Sequence, residues 1–312
     1  MDALTDLLDG PRARGAFLLR ATMRPPWSIR CQDRAPLSLV AMVRDRAYVR
    51  AEGGEPVRIG PGDIAIALGP GAYTVSDAPG TPVQVVVHPG QRCTAPDGRS
   101  LSEEMDLGVR RWGNDPDGPA EMLIGTYRMP GAVTRRLLAA LPDLLVLTAD
   151  AFDSPLAGLL REEIVRDEPG QEVVLDRLLD LLLVTALRAW FSRPDARAPG
   201  WYRAHGDPVV GPALRLLHEN TAHPWTVAEL AAKVGASRTS LAQRFAKLVG
   251  EPPMAYLTGL RLARAADLLR ETDLTLEAVA RQVGYGTAFA LSTAFKRERG
   301  VSPQDYRARA GT

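Results

Sequence analysis

The chain has 312 residues, a formal net charge of +1 and the mixture of apolar and charged residues that is usual for a globular protein. That length is enough for two domains, each with a core of its own. The most apolar segment, residues 178–186, is interrupted by Asp180 and too short to span a bilayer, and the first 15 residues lack the apolar run of a secretory signal. The sequence therefore predicts a cytoplasmic protein with no membrane partner.

Short β-rich runs separated by Gly and Pro turns fill residues 15 to 128. The turns include Glu52-Gly53-Gly54 and Gly60-Pro61-Gly62-Asp63, and turns of this kind recur about every eight to twelve residues. The predicted strands cover residues 38–44, 47–51, 57–59, 64–68, 73–75, 83–87, 106–112 and 121–129. This pattern is typical of a β-sandwich or β-barrel.

After Pro130 the pattern becomes helical, with predicted helices at 133–141, 155–166 and 173–191. The last of these is apolar over so much of its circumference that it must be covered on two sides. The second cover is either the rest of the same chain or another subunit, and we expect a homodimer. A break rich in Pro, Gly and Arg then predicts three regions: a sensor and dimerisation region (1–192), a linker (193–206) and a helical domain (207–312).

The segment from Val227 to Phe245 has the pattern of a helix-turn-helix unit. Thr226 is a candidate N-cap with Glu229 three residues later, and Gly235 permits a tight turn before Ser237 caps the next helix. The residues predicted to be exposed on that second helix, where side chains can bind phosphates or read base edges, are Arg238, Thr239, Ser240, Ala242, Gln243 and Lys247.

The segment from Leu276 to Phe295 repeats this design, with Thr275 as the cap and Gly284 in the turn. The residues predicted to be exposed on its second helix are Thr287, Ala288, Phe289, Ser292, Thr293, Lys296 and Arg297. Long hydrogen-bonding side chains are missing near the start of this helix. The sequence thus predicts weaker direct readout here, through thymine methyl groups or through DNA shape.

A predicted helix at 253–270, about 27 Å long at 1.5 Å per residue, joins the two units. A rod of this length can hold two recognition helices about one DNA turn, roughly 34 Å, apart. From Gly206 onward there are 14 Lys and Arg against 10 Asp and Glu, so the basic excess lies with these units.

The segment from Ala213 to Arg307 resembles the DNA-binding domain of AraC/XylS-type transcription regulators. The residues that carry the resemblance are Ala280, Val283, Gly284, Tyr285, Phe295, Lys296, Gly300, Ser302, Pro303, Tyr306 and Arg307. The resemblance implies that double-stranded DNA is the partner, that both recognition helices enter successive major grooves, and that RNA polymerase is a possible second partner. It also implies two sets of base-facing residues: Thr239, Ala242 and Gln243 in the first unit, and Ala288, Phe289 and Thr293 in the second.

Residues 17–147 resemble, more loosely, the cupin sensor domain of many such regulators. Metal-binding cupins have a histidine pair, a Glu and then a Gly seven residues later; Glu55 and Gly62 fit the last two. The histidine positions fall at Tyr48 or Val49 and at Arg50 or Ala51, and a later one falls at Tyr73. With no imidazole at these places, the sequence predicts no metal and no other cofactor.

Tyr48, Arg50 and Tyr73 instead become candidates for lining a pocket that binds a small-molecule effector, the alternative being that they fill the barrel. The two cysteines leave a second choice open. Cys31 continues the alternation of Trp27 and Ile29, as a buried strand residue would, while Cys93 follows a turn. The neighbouring charges of Arg30 and Arg92 favour a thiolate, which is the reactive form of a cysteine. Cys31 and Cys93 are therefore either inert, as burial would make them, or sensors of oxidants.

These observations predict a two-domain α+β protein: an N-terminal cupin-like β-barrel with following helices, and a C-terminal all-α domain of two helix-turn-helix units. The predicted function is a sequence-specific DNA-binding transcription regulator whose cupin-like domain senses a small molecule. One alternative is an oxidant-sensing regulator. Another is a cupin enzyme with an appended DNA-binding module, for which the sequence offers neither paired histidines nor a Ser-His-Asp set; we therefore expect that the protein is not an enzyme.

Overall fold

A computed structural model of the chain describes residues 17–127, 141–152, 154–166, 168–193 and 198–310. The described residues divide into two compact units, 17–193 and 198–310. None of the helices in these ranges has the length and hydropathy that crossing a membrane requires.

The described part of the N-terminal unit contains two six-stranded sheets. The strands are β1 (Phe17–Met23), β2 (Ser28–Cys31), β3 (Leu37–Arg44), β4 (Ala47–Ala51), β5 (Val57–Ile59), β6 (Ile64–Leu68), β7 (Tyr73–Ser76), β8 (Val85–Val87), β9 (Cys93–Thr94), β10 (Arg111–Gly113), β11 (Ala120–Tyr127) and β12 (Leu144–Leu147). The first sheet has the order β10-β1-β11-β3-β6-β12, and the second has the order β5-β4-β7-β2-β8-β9.

The two sheets share one hydrophobic core, to which β1, β3 and β11 contribute from one side and β2, β4 and β7 from the other. Alternate residues of each strand point into this core, as the period of two predicts. The sheets stack as open layers instead of closing into the predicted barrel. Sandwiches and barrels share the same alternation, so the sequence pattern cannot separate them.

The predicted strands of the N-terminal unit differ from the structure at 106–112 and at 144–147. The predicted strand at 106–112 is reduced to β10, because Gly108 and Arg110 both adopt positive φ and break the extended run before it. The strand β12 was missed; it pairs antiparallel with β6 in a region that looked helical, and leucine-rich runs this short do not distinguish the two states. The predicted helix at 133–141 lies, apart from Leu141, outside the described residues.

The described part of this unit also contains the α-helices α1 (Leu156–Glu163) and α2 (Gln171–Phe191). They agree with the predicted segments 155–166 and 173–191. A buried hydrogen bond of 2.8 Å from the Tyr127 hydroxyl to the carbonyl oxygen of Leu179 ties α2 to β11. At Gly125 of the same strand, an added Cβ would lie 2.9 Å from the Leu179 side chain, so the glycine allows the helix to approach the sheet closely.

The C-terminal unit is helical in its described part. Its helices are α3 (Gly200–Arg203), α4 (Val210–Glu219), α5 (Val227–Lys233), α6 (Arg238–Val249), α7 (Pro253–Glu271), α8 (Leu276–Gln282), α9 (Ala288–Arg299) and α10 (Pro303–Ala310), with a 3-10 turn at Ala204–Gly206. Residues 200–206 are therefore helical and belong to this unit, whereas the sequence predicts a linker at 193–206. A Cβ at Gly200 would lie 2.5 Å from the carbonyl oxygen of Leu248, so this glycine serves close packing on α6.

Candidate DNA-binding surface and sensor cavity

The two helix-turn-helix units, α5–α6 and α8–α9, are built on the same capped frame. The Ser237 hydroxyl accepts a hydrogen bond from the Ser240 N–H at 3.2 Å, and the Thr287 hydroxyl accepts one from the Ala290 N–H at 3.1 Å. Both second helices are 12 residues long and end at a left-handed glycine, Gly250 or Gly300. Side-chain caps and a C-terminal glycine fix the ends of a helix, so α6 and α9 begin and end at equivalent places.

Aromatic contacts anchor each second helix to the core. In the first unit the Phe245 ring packs edge-on against Tyr256 of α7 at 5.7 Å, and the Tyr256 hydroxyl makes a buried 2.7 Å hydrogen bond with His218. In the second unit Phe295 packs against Tyr306 at 5.3 Å. The predicted anchors Leu241, Phe245, Leu291 and Phe295 are all fully buried. The helix α7, predicted at 253–270, contributes to both cores.

The turn glycines of the two units have different surroundings. Gly235 has φ of +68° and open space where a Cβ would stand. Gly284 has φ of +86°, and its Cβ would lie 2.6 Å from the carbonyl oxygen of Ala222, in the loop before α5. The guanidinium of Arg261 on α7 donates to the Thr221 and His223 carbonyl oxygens of the same loop, at 2.8 and 2.6 Å. The turn of the second unit therefore packs directly against the loop that precedes the first unit.

On α6 the residues singled out from the sequence form an accessible face. Arg238, Thr239, Ser240, Gln243 and Lys247 are exposed, and Ala242 is half-buried between them. Arg244, the next residue along, is held by a 2.8 Å ion pair to Asp207. This face therefore offers hydroxyl, amide and guanidinium groups of three different lengths.

On α9 the corresponding face is accessible but chemically different. Thr287, Thr293, Lys296 and Arg297 are exposed, Ala288 and Ser292 are half-buried, and Phe289 is the most exposed large apolar side chain in the described part of the chain, at 81 %. The Lys and Arg residues lie at the C-terminal end of the helix. The first turn of α9 is thus apolar, and its basic residues are at the far end.

A carboxylate also meets the N-terminal end of α9. The Glu277 side chain of α8 accepts a hydrogen bond from the Ala288 N–H at 3.1 Å. Aligning the caps of the two units puts Ala228 at the matching position of α5, where there is no carboxylate. This contact was not predicted, because Glu277 lies 11 residues before the helix end that it caps. The predicted cap of α5 is formed, since the Thr226 hydroxyl accepts a hydrogen bond from the Glu229 N–H at 3.1 Å, while the Glu229 carboxylate contacts the His223 ring at 2.8 Å.

In the N-terminal unit a cavity of about 130 Å³ lies between the two sheets. Its wall is mainly apolar, with Leu19, Ile29, Val87, Trp112 and Ile124, and its polar groups come from Asp33, Tyr73, Gln91, Ser102 and Thr126. Six of the lining residues also line a groove of about 830 Å³ that extends to Glu172 and Asp176 on α2. The described residues therefore form a small cavity that continues into a larger groove.

Of the three residues predicted to line a pocket, Tyr73 lies in the cavity wall. Tyr48 and Arg50 were assigned to the wrong face: on β4 it is Ala47 and Val49 that enter the core, while Arg50 lines an outer cleft beside Arg30 and Glu52. The motif spacing allowed either of two neighbouring positions, and a shift of one residue moves a strand side chain to the opposite face. In the parts of the chain that the structure describes, no three His, Cys, Asp or Glu side chains form a group that could hold a metal.

Both cysteines are buried and face this cavity. Burial raises the pKa of the Cys31 thiol to about 12 and also raises the pKa of Cys93, the opposite of the direction expected from Arg30 and Arg92. Arg30 is paired with Glu52 at 2.7 Å. Cys31 and Cys93 are both register partners of Val87, from opposite sides, so two strand spacings of about 4.8 Å separate their backbones. That separation exceeds what a disulfide spans without backbone movement.

A double-sheet unit followed by two helix-turn-helix units defines a class of DNA-binding regulators. The family model described as cupin matches residues 2–192, and the model described as helix-turn-helix domain matches residues 230–309. An AraC-like transcription regulator of Streptomyces lividans is 31 % identical over 98 % of both chains. The transcriptional regulator MtrA of Neisseria gonorrhoeae is 27 % identical over all of this chain and 99 % of its own.

Among solved structures, the chain is similar to the DNA-binding domain of the transcriptional factor AdpA in complex with a target DNA, with 33 % identity, a TM-score of 0.32 and coverage of 33 % of this chain and 93 % of that one. The chain belongs to the AraC-type transcription regulators with an N-terminal cupin domain. DNA-binding regulation of transcription is therefore its function at the level of the family.

Proposed function

We propose that the protein binds a specific DNA sequence by inserting α6 and α9 into the major groove. The observation that carries this proposal is the repeated frame: two helices of equal length, capped alike and anchored alike, with the singled-out side chains left accessible. On α6, Gln243 is suited to a bidentate contact with adenine and Arg238 to a phosphate. On α9, Lys296 and Arg297 are suited to phosphates.

Genomic DNA captured by the purified full-length protein supplies the fragment for the test. Gln243→Ala should reduce the affinity for that fragment relative to random DNA, because a base-reading amide is lost. Gln304→Ala is the matched control, since Gln304 is exposed on α10 and belongs to neither recognition helix. An equal effect of the two substitutions would contradict the assignment of α6.

We propose further that the cavity between the sheets binds the effector. Its volume is close to that of an apolar cavity of about 150 Å³ that holds one benzene ring, and its polar residues can satisfy one hydrogen-bonding substituent. A compact ring compound with one such substituent is the ligand class that fits. The two thiols, held protonated by burial, belong to the wall of this cavity in our proposal, in preference to oxidant sensing.

Phenol is a suitable probe, with thermal unfolding of the full-length protein as the readout. Bound phenol should raise the unfolding temperature as its concentration increases. Ile124→Trp fills the cavity and should abolish the shift, and Ile124→Leu, which conserves the volume, should retain it. Shifts of equal size in both variants would place the binding of the probe elsewhere.

We propose that α2 joins two copies of the chain. Val174 and Leu181 on this helix are exposed, and the half-buried Leu178 and Thr185 continue the stripe at steps of four, three and four residues. That spacing is the one with which two helices pack against each other. Leu181→Glu should convert a dimer to a monomer in analytical ultracentrifugation. Leu159→Glu, an equally exposed apolar position on α1, should not do so.

A further inference from the structure

The exposed Phe289 is unusual for its position on the frame. The two units can be aligned by matching Ser237 with Thr287 and Phe245 with Phe295. In this alignment Phe289 is equivalent to Thr239, and Ala288 is equivalent to Arg238. The first turn of α6 therefore begins with a cation and a hydroxyl, while that of α9 begins with a methyl and a phenyl group. A benzyl side chain that is 81 % exposed leaves most of its apolar area in water. Its burial against a partner would recover hydrophobic free energy.

The N-terminal end of α9 is poorly suited to binding a phosphate. The N-terminus of a helix normally attracts anions through its free N–H groups and its dipole. Here the Ala288 N–H already donates to the Glu277 carboxylate, and the Ala290 N–H donates to the Thr287 hydroxyl. The carboxylate adds a negative charge that repels DNA phosphates. What this end offers to DNA is therefore an apolar surface.

The residues beside Phe289 limit where that surface can lie. Ser292 and Thr293 follow it at i+3 and i+4, so they border the ring on the same face of the helix. Their hydroxyls can bond to the polar edges of bases on either side of an apolar contact. In the major groove of DNA, the apolar group that one base presents and the other three lack is the C5-methyl of thymine.

We infer that Phe289 reads a thymine by packing against its C5-methyl group in the major groove contacted by α9. This inference rests on the proposed DNA-binding role of α9 and specifies its chemistry. The second half of the binding site would then be selected through a methyl group, and the first half through the hydrogen bonds of α6. A protein partner for Phe289 is the competing occupant, and the test below distinguishes the two.

The experiment uses the full-length protein and the DNA fragment obtained by genomic capture. Each thymine of the fragment is replaced in turn by deoxyuridine, which keeps the base pairing and removes the methyl group. For the wild-type protein, we expect at least one replacement in the half-site of α9 to weaken binding about fourfold, as the loss of one buried methyl group implies.

Phe289→Ala should weaken binding to the unmodified fragment and should bind the thymine and deoxyuridine forms equally. Phe289→Leu should retain part of the difference, because leucine keeps an apolar contact. Thr239→Ala, at the matched position of α6, should retain all of it. Because Phe289 and Thr239 are exposed, we expect these variants to fold. Circular dichroism checks that they do.

Three results would overturn the inference while leaving the proposed function intact. The wild type could bind every deoxyuridine fragment as tightly as the original, Phe289→Ala could keep the discrimination, or Phe289→Ala could leave the affinity for DNA unchanged, which would assign the ring to a protein partner. If the wild-type protein captures no specific DNA, the proposed function itself is contradicted. The two failures are therefore distinct.

Discussion

The helices α6 and α9 share a frame and differ in the surface that they present. Their caps, lengths, terminal glycines and aromatic anchors correspond position by position. Their exposed faces do not, since Arg238, Thr239 and Gln243 are matched by Ala288, Phe289 and Thr293. Buried and capping positions thus determine where a recognition helix stands, and exposed positions determine what it can read. The same fold can in this way present two chemistries to one duplex.

The two units also differ in their turns, and the largest effect is expected there. Gly284→Ala combines a left-handed backbone, which costs about 1–2 kcal/mol, with overpacking against Ala222, which costs about 1–3 kcal/mol. Gly235→Ala carries the backbone cost alone. Urea unfolding of both variants should show the greater loss of stability for Gly284→Ala. Equal losses would mean that the contact between the second turn and the first unit is not tight.

The next effect concerns base reading. Gln243→Ala should reduce the difference in binding free energy between specific and random DNA by about 1–3 kcal/mol, because an amide that contacts a base edge is lost. Thr293→Ala, at the matched position of α9, should cost less, since a hydroxyl makes a single contact. Fluorescence anisotropy with the captured fragment measures both. A larger loss for Thr293→Ala would reverse the roles assigned to the two helices.

The smallest effect concerns phosphates. Arg238→Ala should lower the affinity for all sequences and reduce the slope of log K against log salt by about 0.9, the contribution of one phosphate contact. Ala288→Arg introduces the cation at the matched position of α9, but Glu277 lies beside it and would neutralise it. Its slope should therefore change by less than that of Arg238→Ala. A full increment from Ala288→Arg would contradict the role given to Glu277.

Much of the frame could be predicted from the sequence because its signals are local. A cap and the apolar residues that follow lie within one or two helical turns, so Ser237 with Leu241, and Thr287 with Leu291, reveal the helices α6 and α9. The strands alternate with a period of two for the same reason. These patterns depend on short-range geometry, which the order of residues along the chain records directly.

The contacts that distinguish the two units could not be predicted, because they join residues that are far apart in the chain. Gly284 and Ala222 are 62 residues apart in the sequence, and neither residue type indicates that they are in contact. The position of Tyr48 depended on a register that the motif spacing left open by one residue. The cavity is assembled from both sheets, so no single segment carries its signature. Such features follow from packing, which the linear pattern does not encode.

The central claim is that the exposed residues of α6 and α9, together with Glu277 beside the start of α9, make the two faces different. A graft tests it most directly: Ala288→Arg, Phe289→Thr, Ser292→Ala and Thr293→Gln give α9 the residues of α6 at those four positions, and Glu277→Ala, introduced with them, gives α8 the residue that the first unit has at the matching position of α5. Selection from a random DNA library should then return sites in which the second half-site has become a copy of the first. Selection of the original second half-site by the grafted protein would contradict the claim.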